Sequence, residues 1–178
     1  MFQREQSDAA EPWSMFWYDP TVSGAFWDGL PLDHYFDNAL NQFVSMRSSW
    51  TDQHALYVAM KAGHLQNHEN HNDLDVGNFV LDALGTRWAG ELGSGDYGST
   101  NYFSNNTQGS DRWLYYRKAT QGQNTINIDE ANQNVLAAPT VKYASSQTTQ
   151  GSSTVFTVPS DSTAFWTTDM NSAYFSSA

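Results

Sequence analysis

At 178 residues the chain suits one domain and is long enough to bury a real core. Nineteen acidic against eight basic residues give a formal net charge of −11, which argues against nucleic acid and anionic membranes as partners. Without cysteine there is no disulfide framework and no clue to redox compartment, and no stretch is apolar and long enough to span a bilayer. Aromatic residues make up 15% and charged residues only 15%, below the usual quarter, with Ser, Thr, Asn and Gln filling the polar positions. That mix favours a β-rich protein with neutral polar surfaces.

The first thirteen residues, "MFQREQSDAAEPW", lack an apolar signal core and read as the tail of a preceding element. "PWSMFWYDP" (12–20) is aromatic, bounded by proline and predicted irregular, and "LPLDHYFDNAL" (30–40) suits a short helical turn. Residues 1–40 are thus expected to be a helical or irregular lead-in, with the β domain running from 41 to 178. "QFVSMRSSW" and "HALYVAMKAG" are rich in β-formers, and "GNFVLDAL" and "TRWAGEL" flank Gly85 as a hairpin. "GSGDYGST" (93–100) is a glycine-rich loop. "DRWLYYRKAT" (111–120) and "NTINIDE" (124–130) read as strands, followed by "TVKYASS", "STVFTVPS" and "TAFWTTDM" at the spacing of an antiparallel meander. "SSQTTQGSST" (145–154) reads as a hairpin loop. The fold class predicted is mainly β, an antiparallel β-sandwich. The last β signal has no closing element after it, so the sandwich is expected to be incomplete and the chain a piece of a longer protein.

The densest chemistry lies in "NHENHNDLD" (67–75), with two His, three carboxylates and three Asn in nine residues. A polar loop between strands is the plain reading. Against it, alternate residues of an extended chain face one side, so His71, Asp73 and Asp75 would point together as ligands or proton carriers. A hairpin turning at Gly85 returns Glu91 to the same neighbourhood. Converging carboxylates need a cation, shared protons or good solvation, and His71 or Arg87 is placed to offer compensating charge. In "RWLYYRK" a two-faced strand is the plain reading. The functional one is a sugar platform on which Trp113 and Tyr115 stack against rings and Arg112, Arg117 or Lys118 meets a carboxylate. Tyr97 and Tyr102 flank the glycine-rich loop as lid or surface.

"MFWYDP", "MRSSWTD", "NHENHNDLDVGNFVLDALGTRWAGELGSGDY", "RWLYYRKATQGQNTINID" and "NQ", in that order and spacing, resemble the heparinase II/III-like polysaccharide lyases from about residue 12 to 133. The resemblance implies a supersandwich-like β domain preceded by a helical toroid, with the cleft between them. It also implies β-elimination on a uronic-acid-containing polysaccharide: a base takes the C5 proton, the uronate carboxylate is neutralised, and an acid assists the leaving oxygen. On this chain it implies His71 as the catalytic histidine. With it go a substrate-binding set of Asn70, Tyr97, Arg112, Tyr115 and Arg117, and a metal set of Asp73, Glu91 and Gln123. Gln123 replaces the family's histidine in "GQNT", so the set is oxygen-rich and suits Ca²⁺ or Mg²⁺ over Zn²⁺, or no metal. The partners implied are an acidic polysaccharide and the missing toroid, which would carry the tyrosine base. The chain alone is therefore expected to be a weak or inactive enzyme. The family's setting implies an extracellular or periplasmic parent protein. The rival reading is a non-catalytic carbohydrate-binding or structural sandwich.

Overall fold

In the computed structural model the described residues are 21, 25, 27–37, 41–65, 71–145 and 163–174. Asn70, residues 1–20, the strand expected in "STVFTVPS" and all but Ser145 of the loop expected over 145–154 lie outside them.

The fold is mainly β. A five-stranded antiparallel sheet runs in chain order through β1 (His34–Asp37), β2 (Asn41–Arg47), β3 (Tyr57–Gly63), β4 (Phe79–Ala83) and β5 (Thr86–Ala89). A second sheet pairs β6 (Thr140–Ser145) with β7 (Ala164–Asp169), and one helical turn, α1 (Asn171–Tyr174), follows. The short helix expected in 30–40 is a strand instead. The first sheet thus begins before residue 41, with His34 opposite Ser45 and Asp37 opposite Gln42. Alternation explains it: Tyr35 is buried while Phe36 is 52% exposed, a period of two.

The β4–β5 hairpin turns at Leu84-Gly85 as expected, with both residues at positive φ (54° and 78°), the conformation a two-residue turn between twisted strands requires. Arg87 donates two hydrogen bonds to Asp82, its cross-strand partner, at 2.7 and 2.9 Å. Arg87 is therefore spent on the hairpin. A bulge follows: Asp82 faces Arg87 but Leu81 faces Ala89, so Trp88 is extra and 65% exposed.

Two apolar clusters hold the chain. Tyr35, Val44 and Ala62 on one face of the first sheet pack with Met46 and Met60 against Val141 and Trp166 of the second, and the Tyr35 and Trp166 rings lie 5.3 Å apart. This gives the sandwich-like layering. Leu65, Leu74, Val76, Trp113, Val135, Ala137 and Ala173 form the other cluster, beneath the irregular segments.

Residues 111–130 do not form the two strands expected. They run as successive tight turns with short 3-10 segments at Asp111–Leu114 and Thr120–Gly122. In "NTINIDE" only one bridge forms, Ile128 to Ala131, around Asp129 and Glu130 at positive φ. Side-chain amides do here what a sheet ladder does elsewhere. Gln133 accepts from the Val76 N–H at 2.8 Å and donates to its carbonyl at 3.0 Å, and Asn132 accepts from the Thr120 N–H at 3.0 Å. That is the structural work of the "NQ" pair.

Candidate functional site

Residues 71–78 are pinned, not a loose polar loop. The Leu74 N–H donates to the Lys118 carbonyl (2.9 Å), and the Leu74 carbonyl accepts from the Thr120 hydroxyl (2.9 Å). The Val76 carbonyl accepts from Thr125, and the Gly77 N–H donates to the Lys61 carbonyl at 2.8 Å. Asn72, Leu74 and Val76 point inward and are buried. His71, Asp73 and Asp75 share the opposite side and line one cleft of about 350 Å³, together with Lys61, Asn78, Phe79, Glu91, Tyr97, Tyr102 and Lys118. The alternation anticipated from sequence is thus present, on backbone that belongs to no ladder until Phe79. Fixing each peptide group removes the freedom that would otherwise blur the geometry of a site.

His71 is exposed at the cleft edge, its Nδ1 3.3 Å from the Tyr97 hydroxyl. The hydrogen bond runs in either direction according to the imidazole tautomer. Its ring packs at 5.3 Å on Phe103 and 5.6 Å on Tyr97, and Tyr97 meets Phe103 edge-on at 4.8 Å. The glycine-rich loop is folded against this cluster: the Gly95 N–H donates to the Tyr102 hydroxyl at 2.8 Å, and a side chain at Gly95 would meet the Tyr102 ring at 3.1 Å.

Deeper in, each of the two aspartates has its own amine. Lys61 reaches both Asp75 oxygens at 2.7 Å. Lys118, 2% exposed, stands 3.3 Å from Asp73 and 4.5 Å from the centre of the Tyr102 ring. Burial pushes the Asp73 carboxyl above its ordinary range, Lys118 opposes that, and Asp75 adds to it. Burial likewise raises Asp75, against the pull of Lys61. Sequence reasoning missed Lys61 altogether, although a lone lysine inside the apolar "YVAMKAG" is a visible signal. It counted Lys118 only as a cation that could meet a substrate carboxylate.

The proposed substrate set divides. Tyr97 lines the cleft with His71. Arg112 does not: it is fully buried, donating from Nη2 to the Asn72 carbonyl at 3.0 Å and from Nη1 to Asn106, with its guanidinium 4.4 Å from the Trp113 ring centre. It is an internal brace, because a buried guanidinium must spend its donors on the protein. Trp113 is core, so the sugar platform does not exist as read. Tyr115 donates to the Thr100 carbonyl at 2.6 Å and packs behind Tyr102, outside the cleft lining. Arg117 is exposed, but its guanidinium caps the Leu92 and Ser94 carbonyls of the loop that forms one cleft wall.

The metal set fits a cation poorly. Asp73 is engaged by Lys118. Between Glu91 and Gln123 stands the Asn78 carboxamide, whose Nδ2 donates to Glu91 Oε2 and, at 3.2 Å, to Gln123 Oε1. Among the described residues no group of three His, Asp or Glu side chains is disposed to hold a metal. No known family model matches the chain, and no curated protein matches it either.

Proposed function

We propose that the cleft binds a uronic-acid-containing polysaccharide and takes part in its cleavage by β-elimination, as the heparinase II/III-like resemblance implies. The observation that carries this reading is the His71–Tyr97 pair at the mouth of a lysine-bearing cleft in a strongly acidic chain. Of the eight Lys and Arg residues, Lys61 and Lys118 line the cleft, while Arg112 and Arg117 brace its walls. The same lining holds Asp73, Asp75 and Glu91, so tolerance of an anion there rests on the two lysines with the Arg112 and Arg117 charges behind them.

In the proposed reaction the C5–H electron pair becomes the C4=C5 double bond as the C4–O bond breaks. His71 meets the uronate carboxylate and lowers the cost of the charge that develops there. Tyr97 hands a proton to the departing oxygen and recovers one from His71. The base that takes the C5 proton is the tyrosine the resemblance assigns to the preceding toroid, so this chain by itself turns over slowly or not at all. No step runs through a metal. The polysaccharide and the toroid are the proposed partners, and an extracellular or periplasmic setting goes with them.

A second reading, non-catalytic sugar binding, is favoured by Lys61 and Lys118 being already paired with carboxylates and by the aromatic wall of Tyr97, Tyr102 and Phe103. The test is to incubate the 178-residue chain with alginate, glucuronan and heparin-like chains, recording both binding and the absorbance of newly formed unsaturated ends. Absorbance that His71→Ala and Tyr97→Phe remove supports elimination. Binding without absorbance that His71→Ala leaves unchanged supports the second reading, since elimination requires His71 to meet the uronate carboxylate. Neither signal with any of the polymers refutes both.

A further inference from the structure

We infer that the Asn78 carboxamide occupies the place of a cation, holding Glu91 and Gln123 together without metal, and that one substitution converts the cradle into a divalent-cation site. The amide's orientation is set by its surroundings. Asn78 Oδ1 accepts from the Asn124 backbone N–H at 2.9 Å, a donor that cannot be exchanged for an acceptor, so Nδ2 is the atom that faces the carboxylate. Both Nδ2 hydrogens are then used, one on Glu91 Oε2 and one on Gln123 Oε1.

The amide cannot swing away. Asn78 is 7% exposed, its N–H donates to the Asp75 carbonyl at 3.0 Å, and its carbonyl accepts from the Lys61 N–H at 2.9 Å. Gln123 is fixed in turn, since its Nε2 donates to the Arg117 carbonyl at 2.7 Å. Asn124 completes the frame by donating from Nδ2 to the Phe79 and Gly90 carbonyls, at 3.1 and 2.8 Å, tying β4 to the chain leaving β5. A partial positive charge therefore sits where two oxygens converge, in the role a metal ion plays when oxygens of separate segments must be held together. A cation there would meet the N–H hydrogens.

Asn78→Asp replaces those hydrogens with a carboxylate oxygen and keeps the acceptor for Asn124. The cradle then presents Asp, Glu and a Gln carbonyl, an oxygen set that suits Ca²⁺. This inference stands whatever the cleft binds or cleaves. The experiment is calorimetric titration of the chelator-treated protein with CaCl₂ and with ZnCl₂, alongside thermal melts in chelator and in excess Ca²⁺. For the wild-type protein the expected result is no stoichiometric binding of either ion and the same melting temperature in both buffers. For Asn78→Asp it is a lower melting temperature in chelator, recovery in Ca²⁺, and binding with Kd on the order of 0.1–1 mM, the range of weaker natural sites. Adding Glu91→Gln should remove that binding. Stoichiometric binding by the wild type that Glu91→Gln abolishes overturns the inference, as does an Asn78→Asp protein whose melting ignores Ca²⁺. If Asn78→Asp does not fold in either buffer, the wild-type titration and melts decide alone.

Discussion

Lys61→Met isolates the charge arithmetic under the cleft. Lys61 Nζ lies 2.7 Å from Asp75, whose side chain is only 6% exposed against 23% for the lysine. Removing the amine leaves a carboxylate in a nearly dry site, a change that costs about 3–5 kcal/mol when one partner of a buried pair is deleted. Because Lys61 keeps some access to water, the lower end applies, about 3 kcal/mol at neutral pH. For a chain of this size that lowers the melting temperature by roughly 6–12 °C.

The pH dependence has a definite sign. Burial already holds Asp75 above its ordinary 3.8, and losing Lys61 raises it further. A carboxyl whose folded pKa exceeds its unfolded one takes its proton first in the folded state. The variant's deficit is therefore full above the folded pKa and shrinks as pH falls from there towards 3.8. Chemical denaturation of wild type and variant between neutral and mildly acidic pH reads this directly. The double variant Lys61→Met with Asp75→Asn, which leaves no orphaned charge, should recover most of the loss. A single variant that loses less than about 1 kcal/mol, the typical value of an exposed pair, with no recovery on acidification, would show that the pair is solvated and the reasoning wrong.

Arg112→Met should lower stability by about 2–4 kcal/mol, because it strips buried donors from the Asn72 carbonyl and Asn106. Sugar binding measured on the folded fraction should change no more than that loss of fold explains; a selective loss of affinity would restore Arg112 as a ligand-contacting residue. At the β4–β5 turn, Leu84→Asn should stabilise by a few tenths of a kcal/mol, since Leu84 sits at φ 54° and is 73% exposed, and Gly85→Ala should cost about 1 kcal/mol at φ 78°. Denaturant midpoints check both. His71→Ala, at an exposed edge, should shift stability by no more than about 0.5 kcal/mol while removing any eliminative activity. A large drop in melting temperature would make His71 a structural residue.

Where the chain's local chemistry was decisive, the sequence was enough. Leu84-Gly85 between two β-forming runs can hardly be anything but a hairpin, and the β-formers of "FVSMR" and "YVAMKAG" mark β2 and β3. A period of two placed His71, Asp73 and Asp75 on one side, because side-chain direction along an extended backbone is a local property. Four residues of "HYFD" were too few for the pattern to outweigh a helical reading of 30–40.

Tertiary structure decided the rest, for one physical reason: a polar group's role depends on the partner it finds, and that partner is distant in the chain. Arg112 reads as a cation for a substrate carboxylate until a carbonyl forty residues earlier takes its donors. Lys118 reads the same way until Asp73 and the Tyr102 ring enclose it. "RWLYYRK" alternates like a strand, yet among the described residues no neighbouring ladder is offered to it, and its peptide groups close into tight turns while Trp113 enters the core. Asn78 was invisible among "DVGNFV" because nothing local says that its amide will stand between Glu91, thirteen positions on, and Gln123, forty-five positions on. The side-chain types that make the cleft were legible. Which of them face one another, and with what charge between them, came from the packing of β3, the 71–78 segment and the turns after residue 110.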